Sequence, residues 1–155
     1  MSHSQSLSPG VAAVAAEGEE DSVAVDRAEA ARRALIVDDM LTDRRVLRWY
    51  AESCGCVVRE ARNLWEMSTI MQEWQPDVLV LDVIMPESDG IEIMRQLRSM
   101  CCELPLLLAT GWHGLLRPVY NLGMAYGLNV IDVIAKPVDA HHFKAQLRRA
   151  LVIDA

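Results

Sequence analysis

Val78-Leu-Val-Leu-Asp82 is an uninterrupted apolar run that ends in a carboxylate. A strand without polar alternation is typical of a parallel sheet that helices cover on both faces. Three other apolar runs also end in polar residues: Ala34 to Val37 before Asp38 and Asp39, Leu106 to Ala109 before Thr110, and Val130 to Ala135 before Lys136. Since ligands of open α/β sheets bind outside the carboxyl ends of the strands, we expect these polar side chains to share one crevice.

Segments of helical period separate the apolar runs, so strands and helices alternate along the chain. The apolar positions expected to face the core are Val46, Leu47, Tyr50 and Cys54, then Leu64, Met67, Met71 and Trp74, then Ile93, Leu97 and Met100, then Val119, Leu122 and Tyr126, and finally Phe143, Leu147 and Leu151. Asn63 and Glu66 predict the start of the second helix. The alternation predicts an α/β fold, a doubly wound (βα)5 unit with a five-stranded parallel sheet whose third and fourth strands are central.

Length, charge and cysteine spacing restrict the class of protein. A chain of 155 residues, 52% of them hydrophobic, suits one domain with a buried core. The net charge of -7 argues against direct nucleic acid binding, because such proteins usually carry a basic face. Cys54-Gly-Cys56 and Cys101-Cys102 match no zinc or redox spacing, which favours reduced thiols and a cytoplasmic location. Val11 to Ala16 is too short to span a membrane and lacks the preceding basic residues of a signal peptide.

The beginning of the chain differs in composition from the rest. Residues 1–30 are rich in Ser, Ala, Glu and Gly, contain no aromatic residue, and group acids between Glu17 and Asp21. Such a composition predicts a flexible acidic tail followed by one domain over residues 31–155. Because the chain stops a few residues after the fifth predicted helix, we expect no output domain.

The acids at the strand ends favour a divalent cation. Two carboxylates at about 4 Å repel each other by roughly 1 kcal/mol in water and about 4 kcal/mol at an effective dielectric near 20. Oxygen ligands that leave positions for water or phosphate suit Mg²⁺, or Mn²⁺ in its place, on Asp39 and Asp82 with Asp38 nearby. Beside a cation, a carboxylate can attack phosphorus when Lys136 and Thr110 neutralise the phosphoryl oxygens.

Four motifs in order resemble the receiver domain of two-component response regulators. They are Leu35-Ile-Val-Asp-Asp39, Val80-Leu-Asp-Val-Ile-Met-Pro86 followed by Asp89-Gly90, Leu108-Ala-Thr-Gly111, and Ala135-Lys-Pro137. The resemblance covers about residues 32 to 151 and implies the flavodoxin-like receiver fold. It also implies a cis peptide bond between Lys136 and Pro137.

The resemblance gives each site residue a role. Asp82 would be the phosphoacceptor, Thr110 the switch hydroxyl and Lys136 the phosphate-pairing lysine. The implied metal set is Asp38, Asp39, Asp82 and Ile84. Apolar bulk from Ile84 and Trp112 beside the phosphoryl group would hinder attack by water and predicts a long-lived phosphoryl state.

The implied partners are a sensor histidine kinase or histidine phosphotransfer protein as donor, and a downstream protein or a second copy as receiver of the signal. The downstream protein or second copy would bind the face formed by the fourth helix, fifth strand and fifth helix. Such a protein is a switch without substrate turnover, limited to accepting its own phosphoryl group and slowly releasing it. We expect no direct contact with nucleic acid or membrane.

Other interpretations use the same residues. The domain could relay phosphoryl groups, act as a phosphate sink, or bind partners without phosphorylation. A phosphatase of the haloacid-dehalogenase-like type needs D-x-D where Asp38-Asp39-Met40 stands, and a flavodoxin-like cofactor binder needs a phosphate loop where Met40-Leu-Thr42 stands.

Three features depart from the usual receiver pattern or remain open. Val133 occupies the position three residues before the lysine where the family usually has Tyr or Phe. The segment from Leu115 to Asn129 reads as one helix and is similar to receivers attached to EAL-type cyclic-di-nucleotide phosphodiesterases. On the first helix, Arg44, Arg45 and Arg48 form either a solvated face or a contact surface for a kinase.

Overall fold

The computed structural model describes residues 30–100 and 103–152. The predicted acidic tail lies outside the described residues except for Ala30, and so does the pair Cys101-Cys102. Strands and helices alternate through the described part of the chain: β1 Arg33–Val37, α1 Leu41–Ser53, β2 Val57–Ala61, α2 Leu64–Glu73, β3 Val78–Asp82, α3 Gly90–Ser99, β4 Leu106–Thr110, a 3₁₀ turn His113–Leu115, α4 Leu116–Ala125, β5 Val130–Ala135 and α5 Ala140–Val152.

The five strands form one parallel sheet in the order β2-β1-β3-β4-β5. In the register, Val37 pairs with Leu81, Leu81 with Leu108, and Leu108 with Val133. All residues of β3 and β4 are buried, as expected for inner strands covered on both faces. The predicted doubly wound α/β fold is therefore confirmed. Its strand order reverses between β1 and β3, where ligands of such sheets bind.

Two hydrophobic cores fill the space between the sheet and its helices. Along β3, Leu79 and Leu81 pack with α2, α3 and α4, whereas Val78 and Val80 pack with α1 and α5. The alternation follows from the two-residue period of a strand, which points successive side chains to opposite faces. Both faces of the sheet are thus anchored, and its carboxyl edge is left for the polar residues.

Capping and turn residues set several helix ends. The side chain of Asn63 accepts a hydrogen bond from the Glu66 N–H, which confirms the predicted start of α2. The Glu66 carboxylate reaches the Arg62 N–H. Gly127 follows α4 with a φ of 72°, a backbone conformation that glycine adopts readily.

The structure confirms most predicted core positions and corrects two predictions. Trp74 of the α2 stripe, Leu97 of the α3 stripe and Phe143 of the α5 stripe are buried. Val46 was expected in the core but is 37% exposed, because α1 turns Leu47 and Ala51 toward the sheet. The predicted helix from Leu115 to Asn129 is shorter, since a 3₁₀ turn precedes α4 and the left-handed Gly127 follows it.

Among the helices of residues 30–100 and 103–152, none combines the length and the apolar character that a membrane-spanning segment needs.

Close packing of α4 on β5 generates a stability prediction. A Cβ atom at Gly123 would lie 2.5 Å from Cγ2 of Val130, a buried β-branched side chain with little freedom to move. We expect Gly123→Ala to lower the free energy of unfolding by about 1–3 kcal/mol through overpacking, partly offset by the better helix propensity of alanine. Urea unfolding measures the change.

Gly114→Ala is the matched control, because a Cβ at Gly114 meets no atom within 4 Å. Equal or greater stability of Gly123→Ala relative to the parent protein would contradict the close approach of α4 to β5.

Candidate functional site

Four of the predicted polar residues line the carboxyl edge of the sheet around β1 and β3. Asp38 and Thr110 are fully buried, Asp82 is 6% exposed, and Asp39 is half-buried. One carboxylate oxygen from each of Asp38, Asp39 and Asp82 lies within 4.8 Å of the others. Three hard oxygen donors at this spacing fit a divalent cation such as Mg²⁺. These three residues could therefore hold a metal.

Lys136 completes the group from the end of β5. Its Nζ donates to Oδ2 of Asp38 at 2.5 Å, to Oδ2 of Asp43 at 2.9 Å and to Oδ2 of Asp82 at 3.2 Å. Its backbone N–H donates to the carbonyl oxygen of Thr110 at 2.9 Å, and the following bond to Pro137 is cis, as the resemblance implies. The ammonium thus links β1, α1 and β3 across the crevice.

A repeated local contact orients the strand-end side chains. In each case a side-chain oxygen accepts a hydrogen bond from the backbone N–H two residues later. The pairs are Asp38 with Met40 at 2.9 Å, Asp82 with Ile84 at 3.0 Å, and Thr110 with Trp112 at 3.1 Å. In both aspartates Oδ1 is engaged in this way, so Oδ2 is the oxygen that faces Lys136.

Burial and charge act in opposite directions on the ionisable groups. Burial raises the pKa of the Asp38 and Asp82 carboxyls, although hydrogen bonds with Lys136 and with the backbone oppose the rise. Burial also opposes the charge of Lys136, but its hydrogen bonds to Asp38 and Asp43, together with the nearby charges of Asp82 and Asp38, outweigh that effect and raise its pKa above the usual range. One cation faces several carboxylates, so the site retains an excess of negative charge.

Asp43 belongs to this site and was absent from the predicted set. It lies in the first turn of α1, its side chain is 43% exposed, and it accepts a hydrogen bond from Lys136. The predicted site residues lie at or just after strand ends, whereas Asp43 lies in a helix. An acid in the first turn of the helix that follows Asp38 and Asp39 was the signal that could have found it.

The predicted solvated face of α1 is wrong for Arg44. Its side chain is buried, and Nη1 donates to the carbonyl oxygens of Asp38 at 2.8 Å and Asp39 at 3.4 Å. Arg45 is exposed. Arg48 pairs with the carboxylates of Glu52 and Glu60. Burial of a guanidinium requires counter-charges and acceptors that sequence spacing does not reveal.

The remaining predicted residues lie around the mouth of the site. Ile84 is 36% exposed and Trp112 is 67% exposed. Both border an open groove of about 490 Å³ that also involves the loop over residues 83–90. Val133 is buried in the core shared with α2, α3 and α4, so it has no exposed side chain with which to report a change.

Comparison with known proteins agrees with this architecture. Residues 34–148 match the model of the response regulator receiver domain. The response regulator MprA of Mycobacterium ulcerans is 35% identical over 119 residues, which cover 77% of this chain and 50% of that protein. MprA of Mycobacterium avium matches over the same shares with the same identity. The chain spans about half the length of these curated relatives.

Solved structures show the same fold. A response regulator receiver domain protein from Clostridium thermocellum superposes with a TM-score of 0.68 at 26% identity, covering 79% of this chain and 96% of that one. The chemotaxis protein CheY4 of Vibrio cholerae superposes with a TM-score of 0.69 at 25% identity, covering 79% and 100%. Together with the family match over the strands and the acidic crevice, these similarities show that the chain belongs to the response regulator receiver domain family.

Proposed function

We propose that this protein is a signalling switch that accepts a phosphoryl group on Asp82 from a histidine kinase or a histidine phosphotransfer protein. Membership of the receiver domain family implies phosphorylation-dependent signalling in a two-component system. The observation that carries the assignment to Asp82 is its position: its carboxylate lies 3.2 Å from the Lys136 ammonium beside two further acids, and it keeps 6% exposure to solvent, whereas Asp38, which also pairs with Lys136, is fully buried.

Three features of the chain would assist attack of the Asp82 carboxylate on phosphorus. The Ile84 N–H holds Oδ1, and the Lys136 ammonium lies where it can pair with an incoming phosphoryl oxygen. Mg²⁺ or Mn²⁺ held by Asp38, Asp39 and Asp82 would neutralise the charge of the phosphoryl oxygens. Ile84 can contribute to that metal set only through its backbone oxygen, because its side chain has no donor atom.

Thr110 couples this chemistry to conformation in the proposed switch. Its buried hydroxyl oxygen accepts from the Trp112 N–H, and its own proton is free to turn toward a phosphoryl oxygen. Movement of Thr110 toward that oxygen would pull on Trp112 and the 3₁₀ turn that leads into α4. We propose that a protein partner or a second copy then binds the face of α4, β5 and α5.

The receiver subtype and the fate of the phosphoryl group are further parts of this proposal. Likeness of Met124-Ala-Tyr-Gly-Leu-Asn129 to receivers attached to EAL-type phosphodiesterases supports that receiver subtype. A switch that performs no substrate turnover fits the chemistry of the site. A phosphorelay intermediate or a phosphate sink would use the same residues, and phosphotransfer profiling against candidate kinases and phosphotransfer proteins distinguishes them.

Phosphoryl acceptance is tested by intact mass after incubation with Mg²⁺ and acetyl phosphate. We expect one phosphoryl adduct on the native protein and none on Asp82→Asn, because the amide lacks the nucleophilic carboxylate. Asp77→Asn is the matched control, since Asp77 precedes the same strand at its opposite end, where it binds the Arg33 N–H. An adduct that persists in Asp82→Asn would contradict the assignment.

A second prediction concerns the stability of the metal-free protein. Burial raises the folded-state pKa of Asp82, so its charged form is less favourable in the folded than in the unfolded chain. The resulting cost is absent below the unfolded pKa, grows as pH rises from the unfolded toward the folded pKa, and is fully present above the folded pKa. In EDTA at pH 7 we therefore expect Asp82→Asn to melt at a higher temperature than the native protein.

The same melting experiment includes Mg²⁺ and a pH series. Mg²⁺ should raise the Tm of the native protein more than that of Asp82→Asn, and the difference in EDTA should shrink toward pH 4. A lower Tm for Asp82→Asn in EDTA at pH 7 would show that pairing with Lys136 outweighs burial.

The third prediction concerns the lifetime of the phosphoryl group. Ile84 follows Asp82 by two residues and borders the open groove, so its apolar side chain should hinder attacking water. We expect the adduct to last for minutes or longer and Ile84→Asn to shorten its half-life. Ile91→Asn, at an exposed isoleucine of α3, should leave the half-life unchanged. Loss of the native adduct within seconds would contradict the proposed hindrance.

A further inference from the structure

We infer that the buried guanidinium of Arg44 positions the metal-side acids by holding the backbone of the turn between β1 and α1. Arg44 would thus set the affinity of the site for Mg²⁺ without touching the metal or the phosphoryl group. The inference rests on the proposed function of Asp38, Asp39 and Asp82.

The hydrogen bonds of Arg44 go to the turn between β1 and α1. Its Nη1 donates to the carbonyl oxygen of Asp38 at 2.8 Å and approaches that of Asp39 at 3.4 Å. These carbonyls belong to the two residues whose carboxylates face the site. The carbonyl of Asp38 lies in the peptide plane before the Cα of Asp39 and the carbonyl of Asp39 in the plane after it, so holding both carbonyls orients these two planes and limits where the two side chains can point. Arg44 therefore acts on the acids through their backbone.

Glu60 on β2 holds the guanidinium in place from the other side. Nε of Arg44 lies 3.5 Å from Oε1 of Glu60. Neither atom has a hydrogen-bond partner among the described residues, although both are buried. The pair is therefore held by charge with imperfect geometry, while the better hydrogen bond of the guanidinium goes to the turn. The shorter contact of the guanidinium is therefore with the Asp38 carbonyl oxygen at 2.8 Å and the longer one with Glu60 at 3.5 Å, as we expect if Arg44 holds the turn.

Arg48 provides an internal comparison. Its Nη1 donates to Oε2 of Glu60 at 2.7 Å, so both arginines share one carboxylate. The hydrogen bonds of Arg48 in the described part of the chain go to Glu52 and Glu60, and none goes to the turn. A substitution at Arg48 therefore perturbs Glu60 and its charge while leaving the carbonyls of Asp38 and Asp39 with their donor.

Calorimetric titration of the full chain with Mg²⁺ tests the inference. Loss of a residue that orients metal ligands from outside the coordination sphere typically weakens metal affinity about 10–100-fold, and we expect a rise of that size in the Kd of Arg44→Met. Arg44→Lys should give an intermediate Kd, because one ammonium lacks the planar fork of a guanidinium. Arg48→Met should leave the Kd unchanged.

A double variant separates positioning from simple stability. Arg44→Met leaves the buried Oε1 of the half-buried Glu60 without a charged partner, although Arg48 still pairs with Oε2, so the single variant should also unfold at lower urea concentration. Adding Glu60→Gln removes the charge and should recover much of the lost urea stability. We expect the Mg²⁺ Kd of the double variant to stay raised, because the turn carbonyls still lack their donor.

The outcomes distinguish failure of the proposed function from failure of the role inferred for Arg44. A native protein that neither binds Mg²⁺ nor takes a phosphoryl group from acetyl phosphate overturns the proposed function, and the inference with it. A native protein that does both, while Arg44→Met retains the native Kd, overturns only the inference. Recovery of the native Kd together with stability in the double variant also overturns it, because Arg44 would then be merely structural.

Discussion

The contact of the Lys136 ammonium with three carboxylates is the interaction on which the rest of the site depends. Asp38 and Asp82 are buried acids on neighbouring strands, and an ammonium between them makes their common burial possible. The compensation is incomplete, since burial still raises the pKa of both carboxyls. A site with surplus negative charge favours a divalent cation, and a cation beside a carboxylate favours an incoming phosphoryl group.

The fold serves this site by fixing where the strands end. Apolar side chains on both faces of β3 and β4 lock the sheet between two cores, so its carboxyl edge is rigid. The residues after the strands lie on short turns that can respond to a ligand. Thr110 stands at the boundary, because it is the last residue of β4 and also binds the backbone of the following turn.

Periodicity was enough to predict the sheet, its five helices and the convergence of Asp38, Asp82 and Lys136. It failed where the environment depends on contacts between distant residues. Arg44 is buried because Glu60 and two carbonyls surround it, and Asp43 joins the site because Lys136 reaches back to α1. Neither contact leaves a periodic signal in the sequence. The predicted helix from Leu115 to Asn129 is too long at both ends, because Leu115 closes the 3₁₀ turn and the left-handed Gly127 follows the helix.

We propose that Asp82, and no other acid of the crevice, becomes phosphorylated. Borohydride reduces an acyl phosphate to an alcohol, so reduction of the protein after incubation with Mg²⁺ and acetyl phosphate marks the modified residue for peptide mass mapping. We expect a single reduced position, at Asp82. Reduction at Asp38 or Asp39 instead, or a phosphoryl group recovered on a histidine, would contradict it.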